Sequence, residues 1–272
     1  MLRLRSIRCV TSWLILLIAA AVARPAALPS DRRLSKGGRE GQRLLIRRRW
    51  RLAAAAFERA VERDPQHPRL AELEGLGFEV RKEEVLTPAA LAVRHCRERG
   101  HRSVKLLVAE ALREDLTGLG ETSGGGADAI VLGDLGQGFT ADVLNDAFRL
   151  LMEGAELVAL QHNRYWRRAD GLALDVGAYS AALEYASGRQ AVVVGKPARE
   201  FFMAALAELG SDAENTLMVG DDVEADVGGA MDAGLRGILV RTGKYRRDAL
   251  DSSGVTPTEI VDSIAELPRL LG

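Results

Sequence analysis

The sequence predicts an α/β fold built on a parallel sheet with crossover helices. Short apolar runs at 191–194, 216–219 and 237–240 alternate with helix-like patterns in the last third of the chain. This order is typical of parallel sheets, because parallel neighbouring strands need a crossover between them. Alternating strand and helix patterns over 85–190 indicate a second α/β unit. The first 69 residues show no such alternation, so we expect the N-terminal third of the fold to be incomplete or irregular.

Charged side chains follow two of these apolar runs. Lys196 comes after the first run in Gly-Lys-Pro, and Asp221 comes after the second run, with Asp226 in the first turn of the next predicted helix. Because ligands bind at the carboxyl ends of parallel strands, we expect Lys196 and Asp221 on neighbouring loops. Lysine offsets phosphate charge, and Mg²⁺ is usually held by one or two carboxylates. Asp226 is placed to cap backbone N–H groups or to orient the metal ligands.

Two stretches, VVGKPAREFF and MVGDDVEADVGGAMDAGLRGILVRTGKYR, resemble the haloacid dehalogenase (HAD) phosphatases, and the likeness runs from about residue 70 to the C-terminus. The resemblance implies a HAD-like Rossmannoid core, starting at 70–84 and resuming over 191–272, with a large inserted α/β cap at 85–190. It implies a Mg²⁺-dependent phosphatase for a small phosphate ester, phosphoramide or pyrophosphate. Lys196 would neutralise the phosphoryl charge, Asp221 would bind Mg²⁺, and Asp226 would support it. A homodimer through the cap is also implied.

The sequence departs from that family at its N-terminal end. HAD phosphatases begin with an apolar strand ending in Asp-x-Asp, whose first aspartate attacks phosphorus and whose second acts as general acid and base. Before Glu83 this chain has only Asp31 and Asp64, and neither belongs to such a motif. Covalent catalysis needs a nucleophile. Two interpretations therefore remain open: the chain is an inactive binding or scaffold protein on the HAD fold, or residues 1–69 are not native to the fold.

The N-terminal segment itself has two interpretations. In 1–30, three arginines precede an apolar run at 9–23 that is too short for a comfortable membrane span. This pattern is typical of a secretory signal peptide, or it is a region extraneous to the folded protein. Localisation is thus secretory by this segment and cytoplasmic by the family resemblance. Residues 31–69 are strongly basic at their start, which predicts a linker.

Two further residues are candidate substrate contacts. Arg164 and Asp175 lie in a stretch of the predicted cap that, by resemblance, faces the pocket; the alternative is a surface loop. The net charge of −1 gives no reason to expect nucleic acid as a partner. The four histidines are scattered without His-x-His or His-Glu-x-x-His, so no zinc site is predicted. We expect Cys96 to be a packed thiol beside a surface imidazole, His95.

Overall fold

The computed structural model describes residues 5–9, 15–19, 85–122, 125–168 and 171–270. The predicted segments 31–69 and 70–84 lie outside the described residues. The chain divides into two compact units. We call Leu86–Ala204 the middle unit; the terminal unit comprises Ala205–Gly272 together with the described strands before Leu86.

The strands, in chain order, are β1 (Arg5–Cys9), β2 (Ile15–Ala19), β3 (Val85–Leu86), β4 (Val104–Leu107), β5 (Ala129–Leu132), β6 (Glu156–Ala159), β7 (Tyr165–Arg168), β8 (Gly171–Leu174), β9 (Val192–Val193), β10 (Thr216–Gly220), β11 (Arg236–Val240) and β12 (Glu259–Val261). The α-helices are α1 (Pro88–Arg99), α2 (Glu110–Arg113), α3 (Ala141–Glu153), α4 (Val176–Ser187), α5 (Arg199–Leu209), α6 (Gly229–Asp232), α7 (Arg247–Ser253) and α8 (Leu267–Leu270). A π-helix, Val223–Gly228, precedes α6.

The middle unit is built on a four-stranded sheet in the order β4-β5-β6-β9, with every neighbouring pair parallel. Its core forms where apolar side chains of the strands meet those of α3 and α4, including Ile130, Leu132, Leu151, Leu157 and Leu183. Burying this apolar surface is the main force that holds the unit together. The predicted α/β character of this part of the chain is confirmed.

Local signals set the ends of α1. Thr87 is the N-cap, and its Oγ1 accepts a hydrogen bond from the Ala90 N–H at 3.2 Å. Pro88 occupies the first turn, where its missing N–H costs nothing. Gly100 ends the helix in the left-handed region at φ 76°, a conformation that favours glycine. The residue types at both ends of α1 are thus recognised start and stop signals of a helix.

The terminal unit contains a six-stranded sheet in the order β12-β11-β10-β2-β1-β3. β10, β11 and β12 run parallel, as predicted for 216–219 and 237–240, whereas β2 lies antiparallel to β10. Leu217, Val219, Ile238 and Val240 contribute to one apolar cluster, and Leu239 packs with Val223 and Val227 in another. The parallel strands thus end at a common edge, where Asp221 follows β10.

Three features of the fold differ from the sequence-based expectations. β9, predicted to lie in the same sheet as β10, pairs instead with β6. Residues 260–271, which by their pattern we expect to form a closing helix or turn, begin instead with part of the edge strand β12 (Glu259–Val261) beside β11. Tyr165–Arg168 and Gly171–Leu174, where a surface loop was one interpretation, form an antiparallel hairpin. Each difference concerns strand pairing, because a short apolar run does not specify which strand it pairs with.

Candidate functional site

Asp221 lies at the carboxyl edge of the parallel strands of the terminal unit. It directly follows β10, and it is only 6% exposed. The backbone N–H of Lys244 donates a hydrogen bond to its Oδ2 at 2.7 Å. Lys244 lies in the turn after β11, the parallel neighbour of β10, so both residues come to the same edge. Asp221 was predicted from the sequence, whereas Lys244 was not assigned to the site. The position of Lys244 after the third apolar run was the available signal.

Asp222 and Asp226 divide two roles that the sequence assigned to Asp226 alone. Asp222 is the N-cap of the π-helix, and its Oδ1 accepts hydrogen bonds from the Glu224 and Ala225 N–H groups at 3.1 and 3.0 Å. Asp226 is buried, and its Oδ2 accepts a hydrogen bond from the Asp222 N–H at 3.1 Å. Asp226 therefore fastens the loop that carries Asp221, while Asp222 begins the helix.

Gly220 allows Asp226 to approach the end of β10. A Cβ on Gly220 would lie 2.4 Å from the Cβ of Asp226 and 2.4 Å from its Oδ2. Contacts this short do not occur between real side chains, so any larger residue would displace Asp226. The Gly-Asp-Asp order at the end of β10 thus has a steric reason as well as a chemical one.

The electrostatics of this site favour a bound cation. Burial raises the pKa of the Asp221 carboxyl and the charge of Asp226 raises it further; Lys244 acts in the opposite direction, leaving the pKa at about 7. The Lys244 Nζ lies 3.5 Å from Asp222 Oδ2, so it shares its charge with a third carboxylate. Two buried carboxylates with oxygen donors at one strand end fit the preference of Mg²⁺ for oxygen ligands. On this ground Asp221, supported by Asp226, would hold the ion.

Lys196 belongs to the middle unit, whereas Asp221 belongs to the terminal unit. The lysine follows β9 and is 1% exposed. Its carbonyl oxygen accepts a hydrogen bond from the His162 N–H at 3.1 Å. A Cβ on the preceding Gly195 would lie 2.0 Å from the Leu160 carbonyl oxygen, so glycine is required for the chain to pass there. A buried lysine is uncommon, which makes Lys196 a strong candidate for anion binding.

Arg164 and Asp175 flank the β7–β8 hairpin. The Asp175 N–H donates to the Arg164 carbonyl oxygen at 3.2 Å, so the two residues lie side by side. Asp175 is buried and is the N-cap of α4, and its Oδ1 accepts hydrogen bonds from the Val176 N–H and the Gln161 Nε2. The Arg164 residue is exposed. The structure therefore gives Asp175 a structural role and places Arg164 at the surface.

Comparisons with known proteins agree with this geometry. A family model described as HAD-hyrolase-like matches residues 193–267. Haloacid dehalogenase-like hydrolase domain-containing protein 2 from Bos taurus is 40% identical over 216 residues, which cover 79% of this chain and 81% of that protein. The chain belongs to the HAD family. Phospholysine phosphohistidine inorganic pyrophosphate phosphatase from Homo sapiens is 40% identical to this HAD protein over 204 residues, covering 74% of each.

Solved structures give the same family. The p-nitrophenyl phosphatase from Archaeoglobus fulgidus has a TM-score of 0.67 and 29% identity, and the likeness covers 74% of this chain and 80% of that one. The 4-nitrophenylphosphatase from Thermotoga maritima has a TM-score of 0.67 and 26% identity, covering 75% and 78%. The predicted HAD-like fold class and the family resemblance are confirmed.

β2, the antiparallel neighbour of β10, brings no carboxylate to the site of this HAD protein. β2 pairs antiparallel with β10, with Leu16 opposite Val219, so its N-terminal end lies toward Asp221. Residues 1–30 contain no aspartate or glutamate. No Asp-x-Asp motif occurs anywhere in the sequence. The described residues thus bring together the carboxylates of Asp221 and Asp226 without an Asp-x-Asp motif.

Proposed function

We propose that this protein is a Mg²⁺-dependent HAD-type phosphatase that acts on a small phosphate ester, phosphoramide or pyrophosphate. The observation that carries the proposal is the buried Asp221 carboxyl next to Asp226, whose combined charge calls for a cation. The names of the relatives support the reaction class. One group consists of phospholysine phosphohistidine inorganic pyrophosphate phosphatases, and another consists of p-nitrophenyl phosphatases.

Each residue has a distinct part in this proposal. Asp221, held by the Lys244 N–H, would bind Mg²⁺ with support from Asp226. The bound ion would supply positive charge for the phosphoryl oxygens. Lys196 would neutralise phosphoryl charge from its buried position, and a compact ammonium is suited to that task. Arg164 would contact the leaving group, and Asp175, through its cap on α4, would fix the hairpin on which Arg164 lies.

A second candidate function is binding without catalysis. It is favoured by one specific observation: β2, the neighbour of β10, comes from a segment that contains no acidic residue. A HAD-fold protein lacking its nucleophile would retain the cation site and the phosphate-binding lysine, and would act as a binding or scaffold protein.

Hydrolysis of p-nitrophenyl phosphate and of pyrophosphate, with and without Mg²⁺, tests the two candidates. The full chain is compared with Asp221→Asn and with Asp251→Asn, a control that removes an exposed carboxylate of the same charge. Mg²⁺-dependent turnover that is lost in Asp221→Asn and kept in Asp251→Asn supports the phosphatase. Absence of turnover, with Mg²⁺-dependent binding of inorganic phosphate that Asp221→Asn abolishes, supports the binding protein. Absence of both turnover and binding would contradict both candidate functions.

The family resemblance also leads us to propose a homodimer through the cap predicted at 85–190. Sedimentation of the full chain at several concentrations tests it, and a monomer at all of them would contradict it.

A further inference from the structure

Three metal-ligating side chains converge in the middle unit. His95 Nε2 lies 2.9 Å from Glu156 Oε2, and His101 Nε2 lies 2.7 Å from the same oxygen. The ligand atoms of the three residues all lie within 4.8 Å of one another. We call these residues the His95–His101–Glu156 cluster. No zinc site was predicted from the sequence, because the four histidines show neither His-x-His nor His-Glu-x-x-His spacing.

The fold brings the cluster together by local and long-range means. His95 lies in α1, and Gly100 ends that helix in the left-handed conformation. The turn folds the chain back, and the His101 N–H donates to the Cys96 carbonyl oxygen at 2.9 Å. Glu156 begins β6, where its N–H donates to the Asp128 carbonyl oxygen at 2.9 Å. Both imidazoles therefore meet a carboxylate fixed on the central part of the sheet.

The surroundings of the cluster allow an ion to enter. The side chains of His95, His101 and Glu156 are 22%, 14% and 20% exposed, so solvent reaches them. Arg99 Nη2 lies 3.5 Å from the other carboxylate oxygen, but that side chain is 61% exposed and free to turn toward water. His95 is therefore part of a cluster rather than the surface imidazole that we predicted. Burial, with the charge of Glu156, raises the pKa of the neighbouring Cys96 thiol to about 11, so this thiol is uncharged.

We propose that His95, His101 and Glu156 bind a divalent transition-metal ion, of which Zn²⁺ fits best. Two imidazole nitrogens and one carboxylate oxygen are a ligand set that Zn²⁺ accepts, with water in the fourth position. Mg²⁺ prefers oxygen ligands in octahedral geometry and does not compete for such a set. In the bound form both Nε2 atoms lose their protons and the three ligands close around the ion, which ties the end of α1 to β6.

Calorimetric titration of the full chain with Zn²⁺, in excess Mg²⁺ to fill the Asp221 site, tests the proposal. We compare the natural sequence with His95→Gln, His101→Gln and Glu156→Gln. The matched control is His162→Gln. His162 Nε2 is also paired with a glutamate, at 3.5 Å from Glu184 Oε2, but within the described residues it belongs to no group of three ligand side chains. We expect each cluster variant to weaken Zn²⁺ binding by about tenfold or more. The control should bind as the natural protein does.

The spectrum of bound Co²⁺ gives a second readout, which reports the coordination geometry of the ion itself. Tetrahedral or five-coordinate Co²⁺ in the natural protein should absorb in the visible range, and that absorption should be absent in the folded cluster variants. Thermal unfolding of each metal-free variant shows whether it is folded. Absence of Zn²⁺ binding in the natural protein, or equal Zn²⁺ affinity in all variants, would overturn the proposal. Neither result depends on phosphatase activity, so the test stands apart from the proposed function.

Discussion

At the scale of single residues, Asp221 shows how burial prepares a carboxylate for a metal. An isolated buried charge is unfavourable, and a second carboxylate nearby makes it more so. Burial is the largest influence on its pKa, followed by Asp226, while the Lys244 ammonium and N–H partly offset them. The carboxyl therefore retains its proton up to about pH 7, compared with an ordinary pKa of 3.8. A bound divalent cation offsets the cost of burying the ionised Asp221 carboxyl, because the ion takes the place of the proton.

The Mg²⁺ affinity should depend on pH for this reason. Below pH 7 the ion must displace a proton from Asp221, so we expect affinity to fall by up to about tenfold for each pH unit below that value. Calorimetry between about pH 5.5 and 8.5, in two buffers of different ionisation enthalpy, measures both the affinity and the proton released. An affinity that is constant across this range would contradict the raised pKa.

The same raised pKa affects the stability of the metal-free protein. Between its ordinary value of 3.8 and about 7, the unfolded chain has released a proton that folded Asp221 still holds. The contribution of this group to the free energy of unfolding is therefore largest below 3.8 and is lost as the pH rises through about 7. Asp221→Asn should remove this decline and leave metal-free protein more stable at pH 8 than the natural sequence, as measured by urea unfolding. A loss of stability at that pH would contradict it.

At the scale of elements, local chemistry was predictable and pairing was not. Thr87, Pro88 and Gly100 are sequence signals for the two ends of α1, and Thr140 is the N-cap of α3. The partner of β9 depends on residues far away in the chain, so its apolar run did not distinguish one sheet from the other. For the same reason the sequence does not predict that His95 and His101 meet, since the glutamate that joins them lies on β6.

The cap at Asp222 can be separated from its charge. Asp222→Ala removes both hydrogen bonds to the π-helix and should cost about 1 kcal/mol of stability, whereas asparagine is an equally good N-cap. We expect Asp222→Asn to unfold close to the natural protein and Asp222→Ala to unfold at lower denaturant concentration. If the two variants unfold together, the cap contributes nothing and only the pairing with Lys244 matters.

The junction of β10 with the π-helix should tolerate no side chain at Gly220. Gly220→Ala places a methyl group against Asp226, and overpacking of this kind costs about 1–3 kcal/mol. We expect a lower melting temperature and weaker Mg²⁺ binding. Gly126→Ala is the control, because no atom lies within 4 Å of the added Cβ there. Equal Mg²⁺ affinity in the natural protein and Gly220→Ala would show that Asp226 does not support the ion.

At the scale of the whole molecule, the N-terminal segment determines which function is possible. The sequence predicted the HAD family, the carboxylates at the end of β10 and the absence of Asp-x-Asp. It did not predict that 5–9 and 15–19 would form strands, because their arginines and apolar run are typical of a signal peptide. In the structure these strands lie between β10 and β3. No helix within the described residues has the length and apolar character that a membrane span needs.

Removing residues 1–23 tests whether this segment is part of the folded sheet or a cleaved signal peptide. The deletion takes β1 and β2 from the middle of the sheet and leaves β10 with unpaired backbone groups, which is costly in a buried strand. We expect the shortened protein to unfold at lower denaturant concentration and to bind Mg²⁺ more weakly, because Asp221 directly follows β10. Deletion of residues 1–4, which precede β1, is the control and should change neither property. If the protein without residues 1–23 has the same unfolding midpoint and the same Mg²⁺ affinity as the full chain, the two strands are dispensable. A cleaved signal peptide would then explain the segment, and N-terminal sequencing of the secreted protein should begin after Ala23.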